Sequence, residues 1–198
     1  MAKHRDLPAL IDSGQYIGTN DPARLWRKVL TPSGTLRPPL PVRLQPRGTQ
    51  WCWAVAVISI HNHHDQNTLS TCGLVESVRP GNNCCNDPTS EVCRQPDEIA
   101  RHLADLGNSR GAPISGGISW VRVQEEIGAN NPVGAIVSYA GGAHAVVICG
   151  WVQTDGRDYL IVMDPQAGAI GIEFEEFCDG YPAGGKWAET DLTGRNPR

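Results

Sequence analysis

No stretch of this sequence stays apolar for the ~18 residues that a membrane-spanning helix requires, and it contains no lysine/arginine run of the kind that binds nucleic acid. The first absence excludes insertion into a membrane through helices. The second, with a formal net charge of −4 and a pI near 5.8, excludes the basic footprint of a nucleic-acid binder. The opening M-A-K-H-R-D-L-P-A-L-I-D is basic at its start but lacks the apolar core of a secretory signal peptide. The expectation is a protein that is cytoplasmic when made; export by a signal-independent route would leave no mark here. Internal repeats and low-complexity segments are also missing, so a solenoid or a disordered scaffold is excluded.

What is present describes a globular chain. Apolar residues make up 40% and charged residues 19% of 198 positions, enough for one domain with an extension. The 22 glycines and 15 prolines imply short elements joined by many loops. Residues 1–40 lack sustained periodicity and end in the proline-stiffened L-R-P-P-L-P-V-R, so they are expected to form an N-terminal arm. Within it D-P-A-R predicts a short helix near Asp21 to Leu30, capped by Asp21 with Pro22 in the first turn. The domain proper is expected over residues 41–198.

Trp53, Val57, Ile60 and His64 recur at helical spacing without an intervening glycine or proline, which predicts a helix over 51–64 capped by Thr49. Residues 66–95 read as a cysteine-bearing loop. Helices follow from Pro96 to before Gly107 and from Ser119 to Ile127, the latter closed by Gly128. After Pro132 the β-branched runs P-V-G-A-I-V-S-Y, A-H-A-V-V-I-C-G-W-V and D-Y-L-I-V-M-D predict strands, with T-D-G-R as a hairpin between the last two. G-I-E-F-E-E-F alternates and predicts a fourth. Helices first and antiparallel strands afterwards make an α+β class.

Seven cysteines are many for a cytoplasmic chain, and an odd number leaves at least one thiol unpaired if disulfides form. Cys52 lies in T-Q-W-C-W-A-V, at the predicted helix start. There the backbone N–H groups and the macrodipole favour the thiolate, the nucleophilic form. The ordinary alternative is a small buried apolar residue. His144 opens the strand A-H-A-V-V-I-C after two glycines, a placement suited to a general base, although a core histidine would read the same way. Asp164 ends the next strand before Pro165, and the hairpin would return it to His144, where it could fix the imidazole tautomer. A surface Asp-Pro turn is the competing reading. Gln45, seven residues before Cys52, could offer an amide N–H to an oxyanion. Gln50 competes but lies too close to the helix start to reach back.

Taken together, Gln, C-W-A at a helix start, His opening a strand and V-x-D-P resemble a papain-like cysteine protease. W-C-W-A-V, C-C-N-D-P-T-S-E-V-C-R-Q-P, A-H-A-V-V-I-C-G and D-P-Q-A-G resemble the bacterial effector-type branch first known as plant-pathogen avirulence proteases. Bacterial peptidases that trim double-glycine leaders are a close second. The resemblance covers roughly residues 40–180 and departs from the papain pattern in four ways, one being that His144 follows Cys52 by 92 residues where cathepsins have ~130–150. T-Q-W-C-W replaces C-G-S-C-W, an Asp stands where papain has Asn, and Gln45 lies one residue farther from the cysteine. It implies a papain-like fold with the Cys helix in the N-terminal half and His and Asp on a C-terminal antiparallel sheet. It implies thiol-dependent hydrolysis of a protein or peptide substrate by Cys52, His144, Asp164 and Gln45, without metal or other cofactor. A deamidase or acyl transferase using the same triad, and a catalytically idle peptide-binding domain, are the alternatives. Oligomeric state is left open.

Cys72, Cys84, Cys85 and Cys93 show no C-x₂₋₄-C pair, so one or two disulfides rank above reduced thiols and above zinc. The histidines at 61, 63 and 64 are expected in a solvated last helical turn. Trp51, Trp53, Trp120 and Trp151 are expected in the core or cleft wall, and Trp187 in a glycine-rich tail covering a sheet edge.

Overall fold

The computed structural model describes residues 33–65, 69–154, 156–182 and 184–195. The helix expected near Asp21 to Leu30 lies outside them. The chain forms β1 (Gly34–Thr35), α1 (Cys52–Asp65), α2 (Thr71–Val78), α3 (Ile99–Asp105), β2 (Ile114–Ser115) and α4 (Trp120–Gly128). It continues with β3 (Val133–Tyr139), β4 (Gly142–Thr154), β5 (Arg157–Asp164), β6 (Gly168–Glu173), α5 (Phe174–Asp179) and β7 (Lys186–Leu192). Helices thus dominate the first half and an antiparallel sheet the second, as the α+β pattern requires.

Helix α1 is uninterrupted by glycine or proline, and every residue from Cys52 to His61 is buried. It is a central helix packed on all sides, against β4 and against α2 and α3. The sheet runs β2-β7-β3-β4-β5-β6, with every pairing antiparallel. Strand β4 spans 13 residues and serves two partners along one edge: β3 pairs with its first half, and β1 with Gly150 and Trp151 beyond. The β4–β5 hairpin closes between Thr154 and Arg157, with Gly156 at φ 72°. That left-handed backbone is the conformation for which a two-residue hairpin loop selects glycine. Among the described residues no helix is long and apolar enough to cross a membrane.

The described end of the N-terminal arm packs on the domain, a point the sequence left open: β1 joins the sheet, Leu36 and Leu40 are buried, and the Leu36 N–H donates to the Cys149 carbonyl at 3.3 Å. Several other elements differ from the sequence expectation. Thr49 does not cap α1; its hydroxyl donates to the Pro46 carbonyl at 2.7 Å, closing the preceding turn. The cysteine loop contains α2, whose N-cap Ser70 accepts the Gly73 N–H. Helix α3 begins at Ile99, three residues after Pro96. Gly128 is the last residue of α4, and the left-handed turn falls on Asn130 at φ 65°. The Asn130 side chain then exchanges hydrogen bonds with the Arg37 backbone, at 2.7 and 2.9 Å. G-I-E-F-E-E-F divides, with β6 ending at Glu173 and α5 starting at Phe174. Trp187 does not cover an edge. It lies in β7, an internal strand between β2 and β3, and packs edge-on against Phe177 at 5.0 Å.

Candidate active site

Cys52 is the first residue of α1, buried to 9% exposure, where N–H groups have no partner within the helix. The residues around it explain the two tryptophans. The Trp51 indole donates to the Cys93 carbonyl at 2.6 Å, the Gln50 N–H to the Arg94 carbonyl at 2.9 Å, and the Trp53 indole to the Gln95 carbonyl at 3.3 Å. Three successive carbonyls of one turn segment therefore grip the chain on both sides of the thiol. That segment is itself stapled: disulfides join Cys84 to Cys93 and Cys72 to Cys85, with Cα separations of 5.3 and 5.0 Å. The four clustered cysteines are thus spent in pairs, and Cys52, Cys149 and Cys178 are the free thiols.

The hairpin brings the other two residues to Cys52. His144 Nε2 lies 2.9 Å from Asp164 Oδ1, and the imidazole also interacts with Cys52. Asp164 Oδ1 additionally accepts the N–H groups of Gln166 at 2.6 Å and Ala167 at 3.1 Å, the turn that follows β5. Its Oδ2 accepts the Tyr181 hydroxyl at 2.5 Å. Tyr181 escaped the sequence reading, because D-G-Y-P-A-G-G carries only the signature of a turn. The Ala145 N–H is a second unforeseen contact, a backbone donor to the Cys52 sulfur that no side-chain pattern encodes.

Electrostatics follow this geometry. Burial by itself raises the Cys52 thiol, but the hydrogen bond with His144, the Ala145 N–H and the imidazolium charge outweigh it and hold it below the ordinary thiol value. Burial pulls His144 down, yet its bonds to Asp164 and Cys52 push it up to about 9. Burial raises Asp164, and the His144 bond and charge with the Tyr181 hydroxyl bring it below the usual carboxylate range. The other free thiols go the opposite way. Burial pushes Cys149 up to about 12, its sulfur facing the Ile161 carbonyl at 3.5 Å, and burial with Glu175 and Asp179 raises Cys178. Of the three free thiols, only Cys52 is shifted toward the thiolate.

Gln45 is held from two sides. Its backbone N–H donates to the Pro165 carbonyl at 2.8 Å, tying its loop to the turn after Asp164. Its Nε2 donates to the Thr49 carbonyl at 2.7 Å, which leaves one N–H of the amide for another acceptor. Gln50 is exposed.

The family described as papain-like cysteine protease AvrRpt2 matches residues 33–180, well over half of the chain. The chain belongs to this family. It is a cysteine-type peptidase of the avirulence-protease branch, and its substrate is protein. Among solved structures, the Carica candamarcensis cysteine protease CMS1MS2 in complex with E-64 aligns at a TM-score of 0.51 and 16% identity, covering 79% of this chain and 93% of that one. That likeness establishes the papain-like fold. No curated protein matches the chain.

The histidine cluster is structural, and not a solvated helix end. His61 and His64 are buried: His61 Nδ1 meets Asn108 Oδ1 at 2.7 Å, and His64 Nε2 meets the Thr193 hydroxyl at 3.0 Å. His63 Nε2 meets the Asn130 carbonyl at 3.0 Å. These bonds fasten the far end of α1 to the α3, α4 and β7 termini, so the helix that presents the thiol is anchored at both ends.

Proposed function

We propose that this peptidase acts through Cys52 as nucleophile, His144 as the proton carrier, Asp164 as the group that orients and charges the imidazole, and Gln45 as oxyanion donor. The observation that carries this reading is the convergence of three remote segments, with His144 bonded to the buried Asp164 at 2.9 Å and interacting with a Cys52 thiol held below its ordinary value. The Cys52 thiolate adds to the scissile carbonyl carbon, forming a C–S bond and moving the electron pair onto oxygen. The Cys52 N–H and the second Gln45 Nε2 hydrogen receive that oxyanion. Collapse breaks the C–N bond as His144 gives its proton to the leaving amine. His144 then takes a proton from water as it attacks the thioester, releasing the acid and restoring the thiolate.

The same acyl-enzyme could pass to an amine or arise from a side-chain amide. Ammonia release from glutamine without backbone cleavage would favour that version. The two disulfides fit a working place that is oxidising, outside the cytoplasm in which the chain is made. The test is the pH dependence of iodoacetamide alkylation, mapped by mass, alongside peptide hydrolysis. Cys52 is expected to react well below its ordinary pKa, and Cys52→Ala to abolish hydrolysis while the fold persists. E-64, in complex with the Carica protease, is expected to protect the same sulfur. Alkylation confined to Cys178, or hydrolysis surviving in Cys52→Ala, would overturn the assignment.

A further inference from the structure

We infer that Tyr181 is a positioning residue of the peptidase, whose hydroxyl keeps the Asp164 carboxylate ionised and aligned on His144. This rests on the triad proposed above. Asp164 is buried to 5% exposure, and a buried carboxylate retains its charge only when donors replace lost water. Its Oδ1 receives His144, Gln166 and Ala167; its Oδ2 receives the Tyr181 hydroxyl at 2.5 Å. A phenol suits this place because it is a neutral donor. A lysine or arginine would cancel the carboxylate charge that His144 needs, and an apolar side chain would withdraw a donor from a buried acceptor.

The tyrosine is built in rather than adventitious. It is 1% exposed, its ring meets Phe177 edge-on at 5.4 Å, and Phe177 meets Trp187 of β7 at 5.0 Å. The Gly184 and Gly185 N–H groups donate to its carbonyl at 2.8 and 2.9 Å, so the backbone is fixed as well. The aromatic stack on α5 and β7 therefore sets where the hydroxyl sits against the end of β5.

The experiment compares wild type, Tyr181→Phe, Asp164→Asn, the double variant, and protein carrying 3-fluorotyrosine at position 181, by kcat and KM across pH. Tyr181→Phe is expected to lower kcat roughly tenfold with KM within about twofold. It should also move the acid limb of kcat/KM upward, because Asp164 then protonates more readily and stops supporting the imidazolium. In the Asp164→Asn background the same change should alter kcat by less than about twofold, since no carboxylate charge remains to stabilise. The fluorinated phenol keeps the shape and donates more strongly, so its acid limb moves downward; this arm stands even if Tyr181→Phe misfolds. An acid limb unmoved by fluorotyrosine overturns the inference, as do additive losses in the double variant. Failure of the triad itself would appear separately, as a wild-type Cys52 without a depressed alkylation pKa.

Discussion

Replacing Cys84 and Cys93 together by alanine should cost reactivity at Cys52 out of proportion to its cost in stability. The Cys84–Cys93 bridge spans 9 residues and the Cys72–Cys85 bridge 13. In the chain-entropy account such loops restrict the unfolded chain by about 2.6 and about 2.9 kcal/mol respectively. For a chain of this size each loss lowers Tm by roughly 5–12 °C. The two bridges are thus close to equal as staples but unequal as neighbours of the thiol. Cys93 carries the carbonyl that accepts the Trp51 indole, and Arg94 and Gln95 supply the next two anchors. Cys72 and Cys85 lie on the outer side of the loop, where Glu76 holds the Cys85 N–H. The assay is differential: Tm by calorimetry and the second-order rate of Cys52 alkylation at 15 °C, where both variants are folded. The Cys84/Cys93 variant should alkylate several-fold more slowly and with a higher apparent thiol pKa, because the helix start is no longer held against His144. The Cys72/Cys85 variant should match wild type. Equal alkylation rates in the two variants would refute the anchoring argument whatever their Tm values.

Three further outcomes are expected. Asp191 is buried with Oδ2 lacking a partner, and burial with the charge of Glu189 pushes it up to about 7. The folded state favours its protonated form, so it weakens stability as pH rises from 3.8 through 7; Asp191→Asn should raise the unfolding free energy in urea titrations at pH 8 by at most about 4 kcal/mol and leave it unchanged at pH 4. His64 is driven down to about 4, mainly by burial and by His63, so its neutral form is the folded one and stability falls as pH drops from 6.5 to 4. In urea titrations the stability of wild type relative to His64→Gln should fall by up to about 3 kcal/mol over that window, and an unchanged difference would contradict it. A Cβ on Gly34 would run into the Trp151 indole, so Gly34→Ala should destabilise by about 1–3 kcal/mol, and an unchanged urea midpoint would contradict the packing of β1 on β4.

Cys52, His144 and Asp164 were legible as candidates because each is a polar residue at the boundary of a strongly patterned element. Cys52 begins an uninterrupted helix, and His144 and Asp164 sit at opposite ends of two β-branched runs joined by a hairpin signal. What escaped did so for physical reasons. In T-C-G-L-V-E-S-V a glycine and a cysteine hide the period of α2, whose stability comes from its Ser70 cap and the disulfide on Cys72. K-W-A-E-T-D-L alternates imperfectly because β7 carries an irregularity opposite Ile136 and Val137, which breaks the two-residue period across the strand. The histidines resembled a solvated helix end because their partners, Asn108, Asn130 and Thr193, come from three remote segments. Tyr181 was invisible for the same reason: its meaning lies in a contact across 17 residues and two elements.

The site sits on a seam, and that explains why so much of the chain is devoted to anchoring. The thiol belongs to the helical layer, while the imidazole and carboxylate belong to the sheet, so a slide of α1 along β4 would separate them without unfolding anything. Helix α1 is fixed at its start by three carbonyls of the stapled loop and at its end by His61, His63 and His64. The Gln45 loop bridges the seam directly, its N–H on the Pro165 carbonyl and its amide on Thr49, just before the helix. A displacement near 1 Å is enough to degrade a nucleophile–base pair a hundredfold. The disulfides, the buried histidines and the tyrosine on Asp164 therefore act on one quantity, the relative position of sulfur and ring, and variants in any of them should reveal themselves in thiol reactivity before the fold fails.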